Sequence, residues 1–188
     1  MRGGSGPLLV GRFAKRPVPP TGGGWWDFPL HNEGMVRTRA ELLGEREHWR
    51  ASGQAVVFTN GCFDLLHPGH VALFEAARTQ GAVLVVGLNS DRSVRALKGQ
   101  GRPLIPESER AETVAALEAV DRVVVYDEDT PLSLIDALKP DVLVKGADWA
   151  LDAIVGREEV ERGGGRVVRV ELLPGRSTTS IVSRIQRS

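Results

Sequence analysis

From Ala55 onward, short β-branched runs alternate with stretches whose apolar residues recur every three or four positions. The runs at 55–59, 83–88, 122–126, 142–145 and 166–170 predict strands. Amphipathic stretches near 68–79, 107–119, 132–138, 153–162 and 178–186 predict helices. The strands are apolar almost throughout instead of alternating, so both of their faces must be covered. Such strands separated by helices predict an α/β fold, a Rossmann-like, doubly wound, five-stranded parallel sheet. No internal repeat is visible.

Ahead of this pattern the chain reads differently. Residues 1–34 are dense in glycine and proline and have no sustained periodicity, which predicts a flexible arm. Trp25, Trp26 and Phe28 interrupt it, and aromatics in an arm can dock on their own domain or on a partner. Residues 35–54 predict a peripheral helix, with Leu42, Leu43 and Trp49 among many charges, and 55–188 form the main domain. Composition narrows the function. Lys plus Arg and Asp plus Glu both number 24, so no net basic surface replaces the counterions of a nucleic acid. The single cysteine, Cys62, excludes an internal disulfide and a multi-cysteine metal site. No apolar run reaches membrane-span length, and no signal-peptide stretch precedes Arg12, Lys15 and Arg16. A soluble, cytoplasmic protein without nucleic-acid or membrane partners is expected.

Parallel sheets bind ligands beyond the carboxyl ends of their strands, so the first strand-to-helix turn is the place to look for chemistry. It reads Asn60-Gly61-Cys62-Phe63-Asp64-Leu65-Leu66-His67-Pro68-Gly69-His70. Asn60-Gly61 signals a turn, and Pro68 suits the first helical position, which puts His67 at or just before the N-cap. His70 follows about one turn later. Both imidazoles then lie at the positive end of a helix dipole, among free backbone N–H groups. Two histidines so placed can stabilise an anion, cap and pack the helix, or bind zinc. Zinc wants a third ligand, and the other histidines, His31 and His48, lie off the strand framework.

Phe63-Asp64-x-x-His67-x-Gly69-His70 resembles the HxGH signature of the cytidylyltransferase-like nucleotidyltransferases. The string from Phe58 to His70 is most similar to the branch that transfers AMP from ATP to D-glycero-β-D-manno-heptose 1-phosphate in ADP-heptose biosynthesis. The similarity spans about 55–186. It implies His67, His70 and Lys98 as catalytic residues. For the nucleotide it implies Asn60, Gly61, Cys62, Phe63, Arg110, Gly146, Ser177, Thr178 and Thr179. For the sugar phosphate it implies Asp64, Asp148 and Trp149.

Each of these residues also has an ordinary explanation. Lys98, in Leu97-Lys98-Gly99-Gln100-Gly101-Arg102-Pro103, is equally an exposed lysine in a turn; a similar string in the family favours a phosphate contact. Arg110 lies among Glu107, Glu109 and Glu112, a spacing that suits a surface ion pair. Asp148 and Trp149 could form a strand-end turn with a packed aromatic, or wall a pocket. Ser177–Thr179 cap a helix start that also suits a triphosphate. Asp64 is a candidate metal contact or the acceptor of an Asx-turn. No P-loop string occurs.

The resemblance implies in-line attack of a sugar 1-phosphate oxygen on the α-phosphorus of ATP, with Mg²⁺ bridging phosphate oxygens and pyrophosphate leaving. A CTP-dependent cytidylyltransferase acting on glycerol 3-phosphate is the alternative. Those enzymes carry Arg-Thr-Glu-Gly-Ile-Ser-Thr-Thr where this chain reads Leu173-Pro174-Gly175-Arg176-Ser177-Thr178-Thr179. A nucleotide-binding module without catalysis is a further alternative, disfavoured by the intact His67, His70, Lys98 and Ser177. Residues 1–54 are too few for the sugar kinase that often precedes this domain, so a separate kinase is expected as a pathway partner. A homo-oligomer is compatible with the sequence.

Overall fold

The computed structural model describes residues 34–171 and 178–187. Six strands form one sheet: β1 (Val36–Arg37), β2 (Val56–Gly61), β3 (Val83–Asn89), β4 (Arg122–Tyr126), β5 (Val142–Gly146) and β6 (Arg166–Val170). Their order is β1-β4-β3-β2-β5-β6 and every pairing is parallel. The expected α/β architecture is present, with six strands in place of five. The extra strand is β1, whose two residues pair with Val123 and Val124. Two residues are too few to leave a periodic trace.

Among the described residues, seven helices accompany the sheet: α1 (Arg39–Ala51), α2 (Pro68–Arg78), α3 (Asp91–Lys98), α4 (Glu107–Ala115), α5 (Leu132–Leu138), α6 (Arg157–Arg162) and α7 (Thr178–Ile185). Thr38 and Glu41 form a capping box that starts α1. Helix α3 was not expected. Its buried residues are only Ser93 and Val94, so its apolar stripe is one side chain wide, and Ser90 starts it by capping the Ser93 N–H. Helix α4 ends at Ala115, short of the expected 119, and α6 begins at Arg157 after a 3₁₀ turn at Leu151–Ala153.

Side chains alternate between the two faces of the sheet. Val57, Leu84, Val86 and Val144 pack with Phe74 of α2 and Val114 of α4. Val56, Phe58, Val85 and Leu143 pack with Leu42 of α1, Ile135 of α5 and Val160 of α6. Burial on both faces explains why the strands read as continuous apolar runs.

The chain runs β2→β3→β4 towards one edge and then places β5 and β6 on the other side of β2. The order therefore reverses between β2 and β5, where a crevice forms in sheets of this kind. Here β2 and β5 pair only at Val57–Val142 and Phe58–Leu143, whereas β2 and β3 pair at every position from Val56 to Gly61. Both strands continue beyond their last shared pair. Among the described residues, no helix is long and apolar enough to cross a membrane.

Candidate active site

The first turn joins β2 to α2 at this reversal. His67 is the N-cap of α2; its Nδ1 accepts the Gly69 N–H at 3.1 Å, and Pro68 occupies the first turn. That bond leaves the His67 proton on Nε2. His70 stacks on His67, with ring centroids 3.8 Å apart and planes 24° apart. The edge of Phe63 meets His70 at 5.2 Å. Nδ1 of His70 is buried and has no hydrogen-bond partner among the described residues.

The turn achieves this by an uncommon backbone. Phe63 has φ +43, a left-handed conformation that bulky residues rarely adopt. Its ring lies over Gly61, where a Cβ would meet Phe63 Cζ at 3.0 Å. Burial pulls the His70 pKa down to about 4, helped by His67 and Lys98, and burial also lowers that of His67. Both rings are therefore neutral near pH 7.

Two residues with expected ligand roles are committed to the protein in this structure. Asp64 is buried and accepts from Arg102 Nη1 (2.7 Å), the Leu104 N–H (2.8 Å) and the Ile105 N–H (3.0 Å). Burial raises its pKa, but these donors outweigh it and the net shift is downward. Asp64 thus anchors the loop that follows Lys98, and its oxygens are not displayed to a metal. Arg110 is not a surface ion pair: it is 1% exposed. Its guanidinium donates to the carbonyls of Ile105 (2.9 Å), Cys62 (2.5 Å) and Asn89 (3.0 Å) and to Asp91 Oδ1 (2.7 Å). With all three of its nitrogens donating inside the protein, Arg110 supports the crevice from below and shows almost no surface to a nucleotide. The sequence conceals this because its helix neighbours are glutamates.

Lys98 ends α3 exposed, and its charge reaches both His70 and Cys62. Cys62 is partly buried; burial raises its thiol pKa, and its Sγ lies 4.0 Å from Asn89 Oδ1. Gly146 is buried at the end of β5, while Asp148 and Trp149 just beyond it are exposed. Thr178 and Thr179 begin α7, and Ser177 lies outside the described residues.

The sequence reading assigned no role to Lys145 or Tyr126. Lys145 Nζ donates to Asn60 Oδ1 and, at 3.3 Å, to the Asn60 carbonyl. Asn60 Nδ2 donates to the Tyr126 hydroxyl at 3.0 Å. Asn60 reaches across β3 to Tyr126 because its register partner there is Gly87. A Cβ at Gly87 would meet Phe58 Cζ at 2.6 Å and Asn60 Cβ at 3.2 Å. Burial pulls the Lys145 pKa down to about 8 against the pull of Asp148 and Cys62, and burial pushes that of Tyr126 up to about 12. A lysine after Val142-Leu143-Val144 reads as the polar end of a strand, which hid it.

Among the described residues no three His, Cys, Asp or Glu side chains are placed to hold a metal ion. A groove of about 550 Å³ between α5 and α6 is lined by Glu128, Asp129, Asp136 and Glu159 against Arg162. That excess of carboxylates repels phosphates, whereas the β2–β5 crevice gathers Lys98, Lys145 and the α2 N-terminus.

Residues 58–182 match the family model described as cytidylyltransferase-like. "Bifunctional protein HldE" of Acidiphilium cryptum is 57% identical over 151 residues, covering 80% of this chain and 31% of that protein. The protein of the same name from Rhodopseudomonas palustris strain BisB18 is 46% identical over 185 residues, covering 98% of this chain and 36% of its own length. The chain thus spans about a third of the length of these relatives. Among solved structures, the lipopolysaccharide core biosynthesis protein from Thermoplasma volcanium superposes with a TM-score of 0.56 at 27% identity, over 64% of this chain and 99% of that one.

Proposed function

The chain belongs to the cytidylyltransferase-like family and is a nucleotidyltransferase; from that premise we propose that it transfers AMP from ATP to D-glycero-β-D-manno-heptose 1-phosphate. ADP-heptose and pyrophosphate are the products. One observation carries this reading: two stacked, neutral imidazoles at a helix start, beside Lys98, where the strand order reverses. The relatives called "Bifunctional protein HldE" and the lipopolysaccharide core biosynthesis protein support a sugar-linked acceptor.

A sugar 1-phosphate oxygen attacks the α-phosphorus in line, and the bond to the β-phosphate oxygen breaks as pyrophosphate departs. The nucleophile is already anionic near neutral pH, so no strong base is required. Positioning and charge neutralisation do the rest. His67 donates from Nε2 to an α-phosphate oxygen, and His70 binds beside it. Lys98 holds the α-phosphate or the incoming phosphate, while Ser177, Thr178 and Thr179 take the β- and γ-phosphates. Asp148 and Trp149 border the acceptor, and Gly146 gives the nucleotide close approach to β5.

Mg²⁺ would come with ATP as part of the substrate and would supply positive charge to offset that of the departing pyrophosphate. That fits a site in which the Asp64 carboxylate is already taken by Arg102 and two backbone N–H groups. A sugar kinase acting earlier supplies the 1-phosphate.

Pyrophosphate release across a panel of nucleotides and phosphorylated acceptors tests the proposal. ATP with heptose 1-phosphate gives the highest kcat/KM. Release confined to CTP with glycerol 3-phosphate would overturn the substrate assignment.

A further inference from the structure

Lys145 has no part in the transfer described above, yet its half-buried side chain lies at the point where the sheet opens. Ladder pairing between β2 and β5 stops at Phe58–Leu143, and both strands run on without it. Continuing that register places Lys145 opposite Asn60. There Lys145 Nζ donates to the Asn60 carbonyl at 3.3 Å and also to Asn60 Oδ1. A side-chain ammonium thus spans the gap where strand-to-strand hydrogen bonds have ended. Asn60 is held from its other side by Tyr126, so its amide cannot flip without losing both partners.

Asn60 opens the turn that ends in the two histidines. Next to it, Gly61 packs under the Phe63 ring, the Phe63 edge meets His70, and His70 stacks on His67. The contacts are continuous from β5 to the imidazoles. His70 depends on them, because among the described residues its buried Nδ1 has no hydrogen bond to fix the ring.

We propose that Lys145 is a positioning residue for the transfer: through Asn60 and the Phe63 turn it sets the orientation of the His67–His70 pair. This role rests on the nucleotidyl transfer proposed above. The charge matters as well as the hydrogen bonds, because a half-buried ammonium holds two acceptors more strongly than a neutral amine does. The groups that face Lys145 are Asn60 and the Cys62 thiol from the β2 side, and Asp148 and the Trp149 ring from its own strand end. Lys98 and Arg110 act on Cys62 from beyond, and Tyr126 stays protonated until about pH 12.

The test begins without substrate. NMR of the His67 and His70 ring C–H groups is followed from about pH 7 to about pH 10 in the full chain, for wild type and Lys145→Arg. The wild-type ring signals shift with a midpoint near 8, where Lys145 loses its proton. The arginine variant shows no such shift, since a guanidinium does not deprotonate there. An unmoving wild-type signal, or the same inflection in Lys145→Arg, would overturn the proposal. Kinetics supply the second arm. Lys145→Met lowers kcat roughly ten- to hundredfold with the nucleotide KM changed by less than about threefold, and Lys145→Arg recovers much of the loss. Wild-type turnover in Lys145→Met would also overturn it. If no acceptor supports wild-type turnover, the transfer reading fails while the NMR arm still decides the positioning role.

Discussion

The rings of His67 and His70 stack at 3.8 Å, too close for both to carry a proton cheaply. The consequence is a stability that depends on pH. In the unfolded chain both histidines take up protons as the pH falls through about 6.5, whereas folded His70 resists until about 4. Between those values the unfolded state binds more protons, so stability is complete above the window and declines as the pH drops through it. The loss is of order 2 kcal/mol, allowing for screening of a partly exposed ring. Urea unfolding at about pH 7.5 and about pH 5 measures it, and His70→Gln reduces the difference.

In the proposed transfer, His70→Ala removes a donor from the reacting phosphate. Turnover falls by roughly 10²–10³ while the circular dichroism spectrum is unchanged. Wild-type-like turnover in this variant would sink the proposed mechanism.

Asp64→Ala leaves the Leu104 and Ile105 N–H groups and Arg102 without their acceptor. A loss of about 3 kcal/mol in unfolding free energy is expected, since a guanidinium is stranded. Limited proteolysis then cuts within 99–105 faster than in wild type. Because Lys98 borders that loop, kcat declines too, and Asp64→Asn falls between the two in both measurements.

Gly87→Ala puts a methyl group 2.6 Å from Phe58 Cζ and 3.2 Å from Asn60 Cβ. Overpacking of this kind costs about 1–3 kcal/mol, read as a lowered Tm. The displaced Asn60 also weakens its bond to Tyr126. The ring signals of His67 and His70 therefore move in this variant although neither residue is altered.

Local chemistry was the legible part of this sequence. Pro68 after His67 announced the α2 cap, and the apolar runs of β3, β4 and β5 announced a sheet covered on both faces. Helix α3 escaped because its buried face is a single valine and a serine. Arg110 and Lys145 escaped for a different reason. Each is a charged residue whose partners lie far along the chain: Cys62 and Asn89 for Arg110, Asn60 for Lys145. Spacing along one helix or strand carries no trace of such pairings, and burial of a charge is not an expectation that a polar residue raises. The family resemblance marked Arg110 without revealing that it faces inward.

Arg110 draws together the turn after β2, the end of β3, the start of α3 and the loop before α4 through a single side chain. Losing one of its bonds strands a buried cation, so the segments open together or not at all. In hydrogen exchange this floor of the crevice behaves as one cooperative unit: the amides of Cys62, Asn89 and Ile105 share a single opening free energy. The protein can then flex at the exposed rim near Lys98 and Trp149 while the floor of the crevice stays closed.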